Sequence, residues 1–76
     1  MAQLNQKPIE YFFKKYNISD PDKKAKILPE VTDIIYDYNM HVVGYEKEKD
    51  EYKREQLLVG LKELEGKLEE IFKKYK

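Results

Sequence analysis

The stretch LLVGLKELEGKLEEIFKKY, residues 57–75, decides how this chain folds. Along it, Leu57, Leu61, Leu64, Leu68, Ile71 and Tyr75 recur at steps of 4, 3, 4, 3 and 4. At about 3.6 residues per turn, that spacing draws one apolar stripe down one side of a helix. Acid-to-base pairs four residues apart (Asp50–Arg54, Glu63–Lys67, Glu69–Lys73 and Glu70–Lys74) favour the same helix. Each such pair contributes about 0.2–0.5 kcal/mol. The stripe needs cover, and a chain of 76 residues has little else to supply it.

Upstream, a second stripe is legible. With Val31 set at zero and about 100° per residue, Ile34, Ile35, Tyr38 and Val42 fall within about 60° of it. These residues are the expected core face of a second helix. Ser19-Asp20-Pro21-Asp22 is its start signal, with Ser19 as the capping residue and Asp22 at the positive end of the dipole. Pro29 predicts an interruption, because its ring displaces the carbonyl four residues back. The expectation is a short helix over 20–27, a kink or break, and a main helix from about Pro29 to Val43.

Gly44 is then the expected turn, closing the second helix as a left-handed residue. Folding back there would set Tyr52 opposite Ile35 and Leu57 near Val31. The alternative carries the helix through Gly44 as one rod of about 45 residues, about 68 Å long, stable only as an oligomer. At the other end, Pro8 opens a short helix to Tyr16 with Ile9, Phe12, Phe13 and Tyr16 on one side, and Asn17 stops it. Two turns of helix do not persist alone in water, so its aromatic rings must dock. The expected fold is all-α: a small three-helix domain over residues 8–76, a helical hairpin plus a short N-terminal helix. Residues 1–7 form a flexible N-terminus. Its competitor is a dimer built on a long C-terminal helix.

Composition narrows the function. A chain this short buries roughly 60% of its unfolded surface, so good packing or a partner must supply stability. Cysteine is absent, which removes a disulfide scaffold and favours a reducing, cytoplasmic setting. No apolar run is long enough to span a membrane, and the first residues lack a signal-peptide pattern. A polar face that mixes Glu and Lys equally also argues against a membrane-surface helix. Fifteen basic and fifteen acidic residues cancel (Lys+Arg 15, Asp+Glu 15). The distribution is uneven. Lys7 to Lys26 holds six lysines against Glu10, Asp20 and Asp22, a net of +3. Ile27 to Tyr45 holds Glu30, Asp33 and Asp37 with no base, a net of −3.

Glu30, Asp33, Asp37 and His41 share a helical face at metal-ligand spacing, but a bundle metal centre needs matching ligands from other helices and a second histidine. A solvated acidic stripe is the expected outcome. Ser19 and Thr32 have no neighbouring base, and Gly44, Gly60 and Gly66 form no phosphate loop. No catalytic, cofactor or metal residue is expected, and the chain does not read as an enzyme.

What remains is apolar surface in excess. Tyr36, Met40 and Val43 fall about 120–180° from Val31, a second stripe on the same helix. Tyr52 and Val59 likewise sit off the leucine stripe of the last helix. These five are the expected partner-binding residues of a non-catalytic protein–protein interaction module, one that self-associates or docks onto a larger protein as accessory subunit or regulator. The alternative is a small helical nucleic-acid binder using Lys14, Lys15, Lys23, Lys24 and Lys26, with Tyr11 and Tyr16 placed for stacking.

Overall fold

Three helices account for the fold in the computed structural model, which describes residues 5–75: α1 (Ile9–Lys15), α2 (Pro21–Lys47) and α3 (Glu51–Lys74). Residues 1–4 of the expected flexible N-terminus, and Lys76, lie outside the described residues. No strand occurs among the described residues, and no described helix is long and apolar enough to cross a membrane. α2 and α3 form the hairpin, and α1 lies against its open end.

The leucine stripe of α3 turns inward as its spacing requires. Leu61 and Leu68 are buried, and Leu57, Leu64, Ile71 and Tyr75 are half-buried along the border. They meet Ile27, Val31, Ile35, Tyr38 and Val42 of α2, all buried. Phe72 joins the core although it lies outside the 4-3-4 series, and it is fully shielded from solvent. The cause is that α3 has two neighbours. α2 takes the stripe itself, while the rings of Phe13 and Tyr16 from α1 reach Phe72 beside it.

α1 ends in a Schellman turn. Asn17 takes a positive φ of 59°, the Ile18 N–H donates to the Phe13 carbonyl at 2.8 Å, and the Asn17 N–H donates to Lys14 at 3.2 Å. The expected stop at Asn17 is therefore where the chain turns. The wrap of this turn buries Ile18 against Phe13, which completes the lower core.

Four expectations need correction. The cap of α2 is Asp20, not Ser19: Asp20 Oδ1 accepts from the Asp22 N–H at 3.1 Å, and Pro21 occupies the first helical position. A proline there needs no N–H partner, so it fixes the helix start one residue later than the Ser19 pattern implies. Pro29 does not break the helix, which runs unbroken through it. Pro29 and Ala25, whose carbonyl loses its helical donor, are both exposed, so water can serve that oxygen. Buried Ile27 and Val31 on either side hold both halves to one core.

Gly44 is not the turn either. It remains helical with no positive φ, and α2 ends at Lys47. The connection is Glu48-Lys49-Asp50, where Glu48 Oε1 accepts from the N–H groups of Lys49 and Asp50, both at 3.2 Å. The register moves with it. Leu57 lies beside Gly44, where an added Cβ would meet its Cδ1 at 3.6 Å, rather than near Val31. Tyr52 sits at the hairpin tip, exposed, instead of facing Ile35. The continuous rod is excluded for the same reason: the long axis is 43 Å.

Candidate functional site

The structure places the five residues singled out by their wheel positions on two helices, α2 and α3. Tyr36 is 65% exposed, Met40 50%, Tyr52 68% and Val59 51%, while Val43 is half-buried. α3 approaches the side of α2 that carries Glu30, His41 and Gly44, as the contacts of Lys74, Gly60 and Leu57 show. Tyr36 and Val43 lie about 80–160° around the helix from those three residues, and Met40 about 40–100°. On α3, Leu57, Gly60, Glu65, Lys74 and Tyr75 are among the residues that touch α2. Tyr52 and Val59 lie about 140–160° from Leu57 and Tyr75 around the same helix, and about 80–100° from Gly60. The five residues are therefore divided between two helices, three on α2 and two on α3.

The acidic row of α2 is split among separate roles. Glu30 accepts from Lys74 Nζ at 2.8 Å and from the Tyr75 hydroxyl, so it clasps the end of α3. His41 donates from Nδ1 to the Asp37 carbonyl at 2.8 Å, and its ring rests on Gly60. A Cβ at position 60 would lie 2.7 Å from His41 Nε2, so a residue without a side chain leaves room for the imidazole. Asp33 and Asp37 remain exposed. Among the described residues no group of three His, Asp or Glu gathers at metal-binding distance.

The clasp sets a pH dependence. Hydrogen bonds from Lys74, then Tyr75, hold the Glu30 carboxyl below its ordinary value of 4.5, and Glu30 in turn holds Lys74 and Tyr75 above theirs. A carboxylate with a lowered folded-state value stabilises the fold above its unfolded value, and that contribution disappears as pH falls through the folded one. Glu30→Gln is therefore expected to lower the thermal midpoint at pH 7 and to approach the parent at acid pH, as Glu30 takes up its proton. Parallel melting curves at the two pH values test this. An equal deficit at both would show that packing, not charge, holds the end of α3.

Of the expected acid-to-base pairs along α3, Glu69–Lys73 forms, at 3.1 Å. Lys74 leaves Glu70 for Glu30, and the Arg54 guanidinium lies 4.3 Å from the centre of the Tyr45 ring instead of pairing with Asp50. Exposed pairs along one helix are too weak to hold these cations against better partners.

The lysines of the nucleic-acid alternative cluster only partly. Lys14 and Lys24 line a groove over the α1–α2 turn together with Glu10, and Lys23 borders the adjoining groove with Asp20. Lys24 Nζ lies 5.5 Å from the Phe13 ring centre and Lys15 Nζ 5.6 Å from that of Tyr16. Tyr16, needed for stacking on bases, is already stacked on Phe72 at 4.7 Å. Lys26 is exposed on α2 beyond the turn.

Two features have no counterpart in the helical periodicity. Asn39 holds both main-chain groups of Lys7: its Oδ1 accepts from the Lys7 N–H at 2.7 Å, and its Nδ2 donates to the Lys7 carbonyl at 2.9 Å. The Tyr38 hydroxyl donates to Glu65 at 3.4 Å, and burial with that carboxylate beside it pushes the phenol up. Neither leaves a motif, because each joins residues 27 or more apart in sequence. The chain matches no known protein family, no curated protein and no solved structure.

Proposed function

We propose that this protein is a non-catalytic contact module that docks onto another protein through the outer face of α2, with Tyr36 and Met40 as its anchors. The observation that carries the reading is the contrast within one helix. Ile27, Val31 and Val42 on the inner face are no more than 1% exposed, yet Tyr36 and Met40 on the outer face remain at least half exposed. A helix at the surface of a monomer normally has one apolar side, and a second one is a place for a partner. Tyr and Met suit such a contact, since Tyr adds area at small entropic cost and Met adapts to the shape it meets. Tyr52 and Val59 would make a second, smaller contact. Binding of nucleic acid through Lys14, Lys15, Lys23, Lys24 and Lys26 has less support, because Glu10 shares the groove of Lys14 and Lys24, and Asp20 shares that of Lys23.

The test is site-specific photo-cross-linking in the cells that make the protein. A photoreactive phenylalanine analogue at position 36 or 40 is expected to give one discrete adduct, whereas the same probe at Lys62 gives none. Met40→Glu should reduce the position-36 adduct at least tenfold while the melting point holds, since the side chain is exposed. Absence of a discrete adduct from both positions would remove the proposal.

A further inference from the structure

The outer patch of α2 is longer than its two anchors. Ala25, Pro29, Thr32, Tyr36, Met40 and Val43 follow one another at steps of 4, 3, 4, 4 and 3. At about 100° per residue they lie within an arc of about 80°, and together they cover about 27 Å of helix. No charged residue falls inside that arc between Ala25 and Val43. All six are exposed except Val43, which is half-buried. The single hydroxyl in the row is already engaged, since Thr32 Oγ1 donates to the Leu28 carbonyl at 2.6 Å. Five turns of helix thus present a strip with no free polar side-chain group apart from the Tyr36 phenol.

Charge at the border says what fits the strip. Asp33 and Asp37 border one side of it, exposed, and neither joins an ion pair among the described residues, while Lys26, also exposed, stands on that side at the N-terminal end of the strip. Glu30, the third acid of this segment, is turned away to Lys74. From Ile27 to Tyr45 there is no lysine or arginine. A second copy is therefore a poor occupant. An antiparallel pair centred at the level of Ile35, beside Tyr36, would set Asp33 of each copy opposite Asp37 of the other, and like charges at such positions repel. A parallel pair would offer the two aspartates no cation over the same segment.

We infer that the outer face of α2 receives a helix of a different protein, one whose apolar stripe is bordered by lysine or arginine. The inference rests on the contact-module reading and adds the chemistry of the partner. Burial of Tyr36 and Met40 supplies attraction, while Asp33 and Asp37 choose between candidate helices and set their direction.

Two designed amphipathic peptides of about five turns serve as probes, alike in their leucine stripe but bordered by lysine in one and glutamate in the other. Each is titrated into the full chain at low salt and followed by amide chemical shifts. The lysine-bordered peptide is expected to bind at least tenfold more tightly, with shifts centred on Tyr36, Met40 and Val43. Asp33→Lys with Asp37→Lys should invert the preference, and Met40→Glu should weaken both peptides. Equal affinity for the two peptides, shifts confined to the Lys14–Lys26 turn, or no binding by either would overturn the inference. Cross-links from positions 36 and 40 that persist beside such a result would leave the contact-module reading standing, with a different occupant.

Discussion

Phe72→Ala is expected to remove about 3–5 kcal/mol of stability and to release α1 from the hairpin. A domain of this size holds about 4–11 kcal/mol in total, so the variant should sit close to unfolding at 37 °C. The reason is the position of one ring. Phe72 is fully buried, with Phe13 packed edge-on at 5.8 Å and Tyr16 stacked at 4.7 Å. Seven residues of helix have no stability of their own, so α1 persists only while its rings are held. Its other core contacts are Phe12, edge-on to Tyr38 at 5.7 Å, and half-buried Ile9. Urea denaturation separates the two parts of the effect. A lowered midpoint with unchanged slope would mean that α1 stays docked over a cavity. A smaller slope would mean that the native variant already exposes α1, which is the outcome expected. Phe13→Ala should add less on the Phe72→Ala background than on the parent, because its partner is already gone. A loss below about 1 kcal/mol for Phe72→Ala would contradict this account of the core.

The same ring shows what could be read from the sequence and what could not. The leucine stripe identified α3 and its inner face because periodicity depends only on helix geometry. The core face of α2, from Val31 to Val42, was legible for that reason too, as was the stop at Asn17, whose side chain tolerates the left-handed region. The row of exposed Tyr36 and Met40 with half-buried Val43 came from the same wheel. Phe72 was missed because a single stripe assumes a single neighbour. The hairpin turn was missed for a different reason. Glu48-Lys49-Asp50 contains neither glycine nor proline, and its geometry depends on a glutamate carboxylate capping two N–H groups, an arrangement with no compositional mark. Gly44 drew the turn to itself by residue type, although Tyr45 and Leu57 still had surface to cover beyond it. Pro29 misled similarly: what decides its effect is whether the carbonyl it frees faces water, and that is a property of the assembled bundle.

Asn39→Ala is expected to cost about 1–3 kcal/mol, at two hydrogen bonds of about 0.5–1.5 kcal/mol each. Its larger signature should be local. Lys7 precedes Pro8, and that order disfavours helical backbone, leaving the residue extended with its N–H and carbonyl on one side. The Asn39 amide matches that pair as a neighbouring strand would, at 2.7 and 2.9 Å. α1 is thereby fixed at both ends, by Lys7 before it and by the Asn17–Ile18 turn after it. Loss of the amide should leave the Phe72 contacts in place but lower hydrogen-exchange protection at the Lys7 N–H by at least tenfold. Asn39→Asp offers a sharper comparison. It keeps an acceptor for the Lys7 N–H but turns a second acceptor towards the Lys7 carbonyl, so its loss should equal or exceed that of alanine. If the aspartate variant instead retained the parent's stability, the donated bond to the carbonyl would be idle, and burial of the aromatic rings alone would position α1.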